Sequence, residues 1–96
     1  MNVSHNLPLT RFEITVDDAT AVLDYTRTGG LMVITRTFVP PELRGQSIAG
    51  RLAKSAFAFA QAETLKVVPQ CSCIGVYAKR YPEVQSLLVN GSADSS

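Results

Sequence analysis

The stretch Val39-Pro40-Pro41-Glu42-Leu43-Arg44-Gly45-Gln46-Ser47-Ile48-Ala49 decides how this chain is read. It runs from the end of an apolar strand, through a loop bounded by two prolines, into an alanine-rich helical pattern. At such a junction the first four backbone N–H groups of the helix lack internal partners and point at whatever precedes them, an arrangement that accepts a phosphate. The loop is therefore the first candidate for a functional site.

Upstream of it, Phe12, Ile14 and Val16 alternate with Arg11, Glu13 and Thr15. After Asp17-Asp18 the alternation resumes with Ala21, Leu23 and Tyr25 against Thr20, Asp24 and Thr26, the pattern of a β-hairpin. Thr28-Gly29-Gly30 marks a second turn, and Leu31 to Val39 reads as a third strand, rich in β-branched residues and stopped by Pro40-Pro41. Downstream, Ile48 to Thr64 changes to helical spacing, with Ile48, Leu52, Ala56, Phe59 and Ala60 on one face and Arg51, Lys54, Ser55 and Gln61 on the other.

Lys66-Val67-Val68 reads as a short strand ended by Pro69, expected to lie parallel to the third strand because a helical crossover separates them. A short helix from about Ser72 to Arg80 follows, and Pro82 opens another to Val89, with Asn90-Gly91 as the stop. Met1 to about Leu9 and Ser92 to Ser96 are expected to be mobile ends. The expected order is β-β-β-α-β-α-α, an α/β (α+β) fold with a mainly antiparallel sheet.

Bulk properties set the class. With 96 residues, 46% hydrophobic and 18% charged, the chain is expected to form one small soluble domain over residues 1–96, its ordered core about 10–90. Nine basic residues against eight acidic give a formal net charge of +1, scattered from Arg11 to Arg80 without a run, which argues against nucleic acid as a partner. No leader-like start and no apolar run near the ~20 residues of a membrane span are visible, so a cytoplasmic protein without membrane contact is expected, a monomer or weak homodimer. Cys71 and Cys73 are too few and too close for a disulfide framework or half of a usual zinc site, and read as free thiols with no metal.

Three segments carry a likeness: Phe12-Glu13 through Leu23-Asp24-Tyr25, Thr37-Phe38-Val39-Pro40 through Arg44 to Ala49, and Pro69-Gln70-Cys71-Ser72 through Tyr77 to Tyr81-Pro82-Glu83. Together they resemble the small single-domain members of the GNAT superfamily of acetyl-coenzyme A-dependent N-acetyltransferases. The resemblance implies a sheet with one splayed parallel strand pair and acetyl transfer to an amine, on a small molecule or on a protein lysine or N-terminus. It implies that Thr37, Phe38 and Val39 offer main-chain groups to the pantetheine arm of coenzyme A, while Arg44 opens a loop whose amides, from Gly45 through Gln46, Ser47, Ile48 and Ala49 to Gly50, hold the phosphates. Ser47 stands where the family has glycine, Arg36 where its strand has histidine, and Val84 where it has tyrosine.

In the last segment, Lys79 and Arg80 either reach remaining phosphate oxygens or form a solvated basic helix end. Cys71, aligned with a cysteine near the acetyl thioester, either takes the acetyl group covalently, lines the transfer site, or packs as a small hydrophobe. Tyr77 either donates a proton to the departing thiolate or packs against the cofactor. Cys73 reads as packing. His5 and Glu42 are conceivable bases that nothing in the sequence positions. The rival to an enzyme is a non-catalytic module of the same fold that binds coenzyme A or another protein.

Overall fold

The computed structural model describes residues 3–45, 47–70 and 72–89. Five strands, β1 (Ser4–Asn6), β2 (Arg11–Val16), β3 (Ala19–Thr28), β4 (Leu31–Phe38) and β5 (Lys66–Pro69), form one sheet in sequence order. All neighbours are antiparallel except β4 and β5. That parallel pair is reached by α1 (Ile48–Ala62), and β5 is followed by α2 (Ser72–Arg80) and a 3-10 helix, Pro82–Leu87. The arrangement is the expected mixed α+β sheet, with two short 3-10 segments where the sequence suggested a loop at Pro41–Leu43 and an α-helix from Pro82 to Val89.

Alternation in β2 and β3 places Phe12, Ile14, Ala21, Leu23 and Tyr25 on one face, where α1 lays down Ile48, Leu52, Ala53, Ala56, Phe57 and Ala60. Ala53, Ala56 and Ala60 keep the inner side of this helix small, and Ile34 and Met32 are buried in the same core. Phe59, on the apolar face as the spacing suggested, packs half-buried against the rings of His5, Phe12 and Tyr25, and Phe57, which the spacing did not single out, is fully buried and stacks on Tyr77. Among the described residues no helix covers the opposite sheet face, which carries Arg11, Glu13, Asp24, Arg36 and Phe38.

Two boundaries differ from the reading of the sequence. The helix stops at Ala62 because Thr64 turns left-handed at φ 59°, with Leu65 N donating to Ala60 O at 2.8 Å and Thr64 N to Gln61 O at 3.2 Å. This is a Schellman closure made by threonine, and without the usual glycine the sequence gives no stop signal there. At the start, Ser4–Asn6 is a strand rather than a mobile end. His5 stacks on Phe12 at 4.0 Å and 11°, and its Nε2 lies 2.6 Å from the Tyr25 hydroxyl. The expected Asn90-Gly91 stop and the Ser92–Ser96 end lie outside the described residues. No helix among the described residues is long and apolar enough to cross a membrane.

Burial pushes the His5 pKa below its ordinary 6.5. Below that value the unfolded chain takes up a proton that the folded chain resists, so the stability His5 confers is present above about pH 6.5 and is lost as pH falls. Melting temperature is expected to drop between about pH 7.5 and about pH 5.5, and to drop less in His5→Phe, which keeps the stack and removes the titration. Parallel thermal melts check this; equal drops in both proteins would exclude His5 as the source.

Candidate functional site

The site begins where β5 leaves the sheet. Its register with β4 runs from Leu31↔Lys66 to Ile34↔Pro69 and goes no further. Gln70 N donates to both Ile34 O and Val68 O at 3.1 Å, so the chain turns tightly about Pro69 as the ladder ends. β4 runs on through Thr35 to Phe38, paired with β3 on one side; among the described residues no strand pairs with it on the other. Thr35 is an extra residue in this strand, because Asp24 faces Arg36 while Tyr25 faces Ile34. Such a bulge bends and twists the strand locally. Just beyond it the Thr37 hydroxyl oxygen is buried with no hydrogen-bond partner among the described residues. A buried hydroxyl left unpaired costs about 1–3 kcal/mol, so a donor or acceptor brought to it would be stabilised.

Beside this free edge lies the opening of α1. The 3-10 turn Pro41–Leu43 drops Leu43 into the core, and Arg44 folds back so that its Nε donates to Val39 O at 3.1 Å. Gly45, at φ 84°, then makes a turn that a side chain resists. Ser47 precedes the helix in the left-handed region, φ 59° and ψ 28°, and its side chain caps nothing. The first helical amide with a backbone acceptor outside the helix is that of Arg51, 3.1 Å from Ser47 O. The amides before it, of Ile48, Ala49 and Gly50, have no backbone acceptor outside the helix among the described residues and lie at the positive end of the helix dipole.

That end forms one wall of a cavity of about 360 Å³, with Ser47, Ala49 and Gly50 facing Val76, Tyr77, Arg80 and Tyr81 of α2 and its end. Tyr77 is held between rings, stacked on Phe57 at 5.7 Å and 13° and tilted against Tyr81 at 4.6 Å. Burial first, then the neighbouring Tyr81 and Glu83, raise its pKa above the ordinary 10.0. A phenol is protonated at neutral pH in any case, and the raised pKa makes this one a weaker acid.

A family model of the GCN5-related N-acetyl-transferases matches residues 11–87. The chain belongs to that family. Acetyl transfer is the family's general chemistry, and the free β4 edge, the α1 opening and the cavity all fall inside the matched span. Comparison with curated proteins gives no match.

Of the residues that the sequence nominated, Ser47, Ala49, Gly50, Tyr77 and Arg80 converge on the cavity. Thr37 and Val39 are half-buried near the free edge, whereas Phe38 stands exposed on the bare sheet face. Gly45 and Arg44 shape the loop, Ile48 is buried in the core, and Lys79 is exposed and does not line the cavity. Gln46, Cys71 and the side chain of Cys73 lie outside the described residues. Val76 and Tyr81 were missed. They share a helix face with Tyr77 and Arg80 at spacings of one, four and five residues, a signal present in the sequence.

Ser47 bears a Cβ in a conformation that favours glycine, at a cost of roughly 1–2 kcal/mol for the left-handed region. Ser47→Gly is therefore expected to match or exceed the parent in urea melts, by up to about 1 kcal/mol after glycine's extra unfolded-state entropy is subtracted. Ser47→Val, β-branched at the same angles, is expected to lose about 1–2 kcal/mol. A valine variant as stable as the parent would contradict the assigned backbone.

Proposed function

We propose that the protein transfers the acetyl group of acetyl-coenzyme A to an amine. One juxtaposition supports this most directly: an unpaired β4 edge with an orphaned Thr37 hydroxyl, next to a helix opening whose amides face a 360 Å³ cavity. A long ligand with a polar arm and a phosphate-bearing end has both needs. The edge of Thr37 to Val39 would hold the amide-containing arm, as a further strand would, and the amides of Ser47 to Gly50 the phosphates. Arg80 adds a cation on the facing wall. Arg44, tied to Val39 O, fixes the loop's shape, and Lys79, outside the cavity, is left to contact only what projects beyond it.

Acetyl-coenzyme A would supply the thioester: the amine nitrogen would bond to the acetyl carbon as the carbon–sulfur bond breaks, the nitrogen losing one proton and the departing thiolate gaining one. Tyr77, a phenol in the cavity wall, is the described group suited to give the thiolate that proton, and would regain one from the acylated amine through solvent. Cys71, next in sequence after Gln70, lies outside the described residues, and its role rests on the family likeness alone. It is the candidate for a covalent acetyl carrier or for lining the transfer point.

Calorimetry and thermal melts with acetyl-coenzyme A test the reading. Heat of binding and a raised melting temperature are expected, and the absence of both would remove the cofactor. Binding without turnover of any amine would favour the non-catalytic module. For the enzyme, Tyr77→Phe is expected to lower kcat by about 10²-fold with little change in acetyl-coenzyme A affinity. Cys71→Ala with full activity would take the thiol out of the mechanism.

A further inference from the structure

The bare sheet face next to the gap carries one lateral row, Arg11 on β2, Asp24 on β3 and Arg36 on β4, set by the register Arg11↔Asp24 and Asp24↔Arg36. The single carboxylate in this row is shared unequally. Arg11 Nε donates to Asp24 Oδ1 at 2.6 Å, whereas the Arg36 guanidinium stands 3.6 Å from Oδ2 and makes no hydrogen bond among the described residues. The other acid of this face, Glu13, is 3.9 Å from Arg11 and two strands away from Arg36, about 10 Å across the sheet. Arg11 thus holds the close contacts of this row, and Arg36 shares Asp24 only as a looser ion pair at 3.6 Å.

Arg36 is also held in place. Its guanidinium carbon lies 5.5 Å from the centre of the Phe38 ring, on the same strand two residues on, and 58% of its side chain is exposed. A planar fork braced by a ring, with most of its donors facing solvent, binds a two-oxygen anion. Its position follows from the strand: two residues past Ile34, whose carbonyl makes the last β4–β5 bond, and next to the Thr35 bulge.

We infer that Arg36 selects the acceptor, and that the acceptor is a small amine carrying a carboxylate or phosphate a few atoms from its nitrogen. The inference rests on the proposed acetyl transfer, with the amine approaching the gap from the bare face. As a surface salt bridge Arg36 would contribute little, since an exposed pair at this distance is worth at most a fraction of a kcal/mol. An anion on the acceptor would instead anchor the substrate while its amine reaches across the mouth of the gap.

Three primary amines built on the same aminoethyl unit separate the cases: β-alanine, O-phosphoethanolamine and ethanolamine, assayed by thiol release from acetyl-coenzyme A. An anionic amine is expected to show kcat/KM about tenfold above ethanolamine, and the better of the two names the anion. Arg36→Gln is expected to erase the difference through KM with kcat held, and Arg36→Lys to restore part of it. Equal values for the three amines, or a preference that survives Arg36→Gln, would overturn the assignment. NMR of the Arg36 Nε–H in the coenzyme A-loaded protein reads the same contact without turnover: the anionic amines shift it and ethanolamine does not, and no shift with either anion also overturns it. Calorimetry with acetyl-coenzyme A alone, run first, reports separately on the parent reading.

Discussion

Everything distinctive about this fold depends on one hydrogen-bonding limit, the end of the β4–β5 ladder at Ile34. Proline has no N–H to give, and the next amide, Gln70, is drawn to Ile34 O and to Val68 O at once. The chain therefore turns away from the sheet after four paired residues, while β4 continues for four more. Had β5 gone on, the β4 edge would be covered and the orphaned Thr37 hydroxyl enclosed beneath it. The bulge at Thr35 adds its bend where the two strands part.

The core fixes where α1 opens relative to that gap. Ile48 and Leu52 anchor the first turns, Leu43 fills the space beneath the loop, and Phe57 reaches across to Tyr77. Because Phe57 belongs to the buried layer and Tyr77 to the cavity wall, the stack transmits the position of the core to the site. Packing here also shields part of the Tyr77 phenol from water, so the contact that stabilises the fold contributes to its raised pKa.

Much of this was legible in the sequence, because it follows from periodicity. The two-residue alternation of Phe12, Ile14 and Val16, the crossover length that makes β5 parallel, and the proline-bounded entry to α1 all appear as read. What was not legible depends on tertiary partners. Ser4–Asn6 is a strand only because His5 finds Phe12 and Tyr25, far along the chain. Phe59 meets the sheet rings as its spacing indicates, whereas Phe57 is buried only because Tyr77, in a later helix, stacks on it. Thr64 closes the helix without the glycine that would announce it. In the site, the loop residues were found by their pattern, whereas Val76 and Tyr81 required the facing helix to give them a role.

The short first strand has a consequence for behaviour at high concentration. It occupies the outer side of β2, pairing Ser4 with Glu13 and Asn6 with Arg11, and only three residues do so. An uncovered strand edge presents unsatisfied amides and carbonyls that recruit another chain, and β2 alternates large apolar residues in the manner of segments that assemble. The histidine ring that pins this strip thereby stands between a well-behaved monomeric surface and edge-to-edge polymerisation, although it lies at the opposite end of α1 from the chemistry.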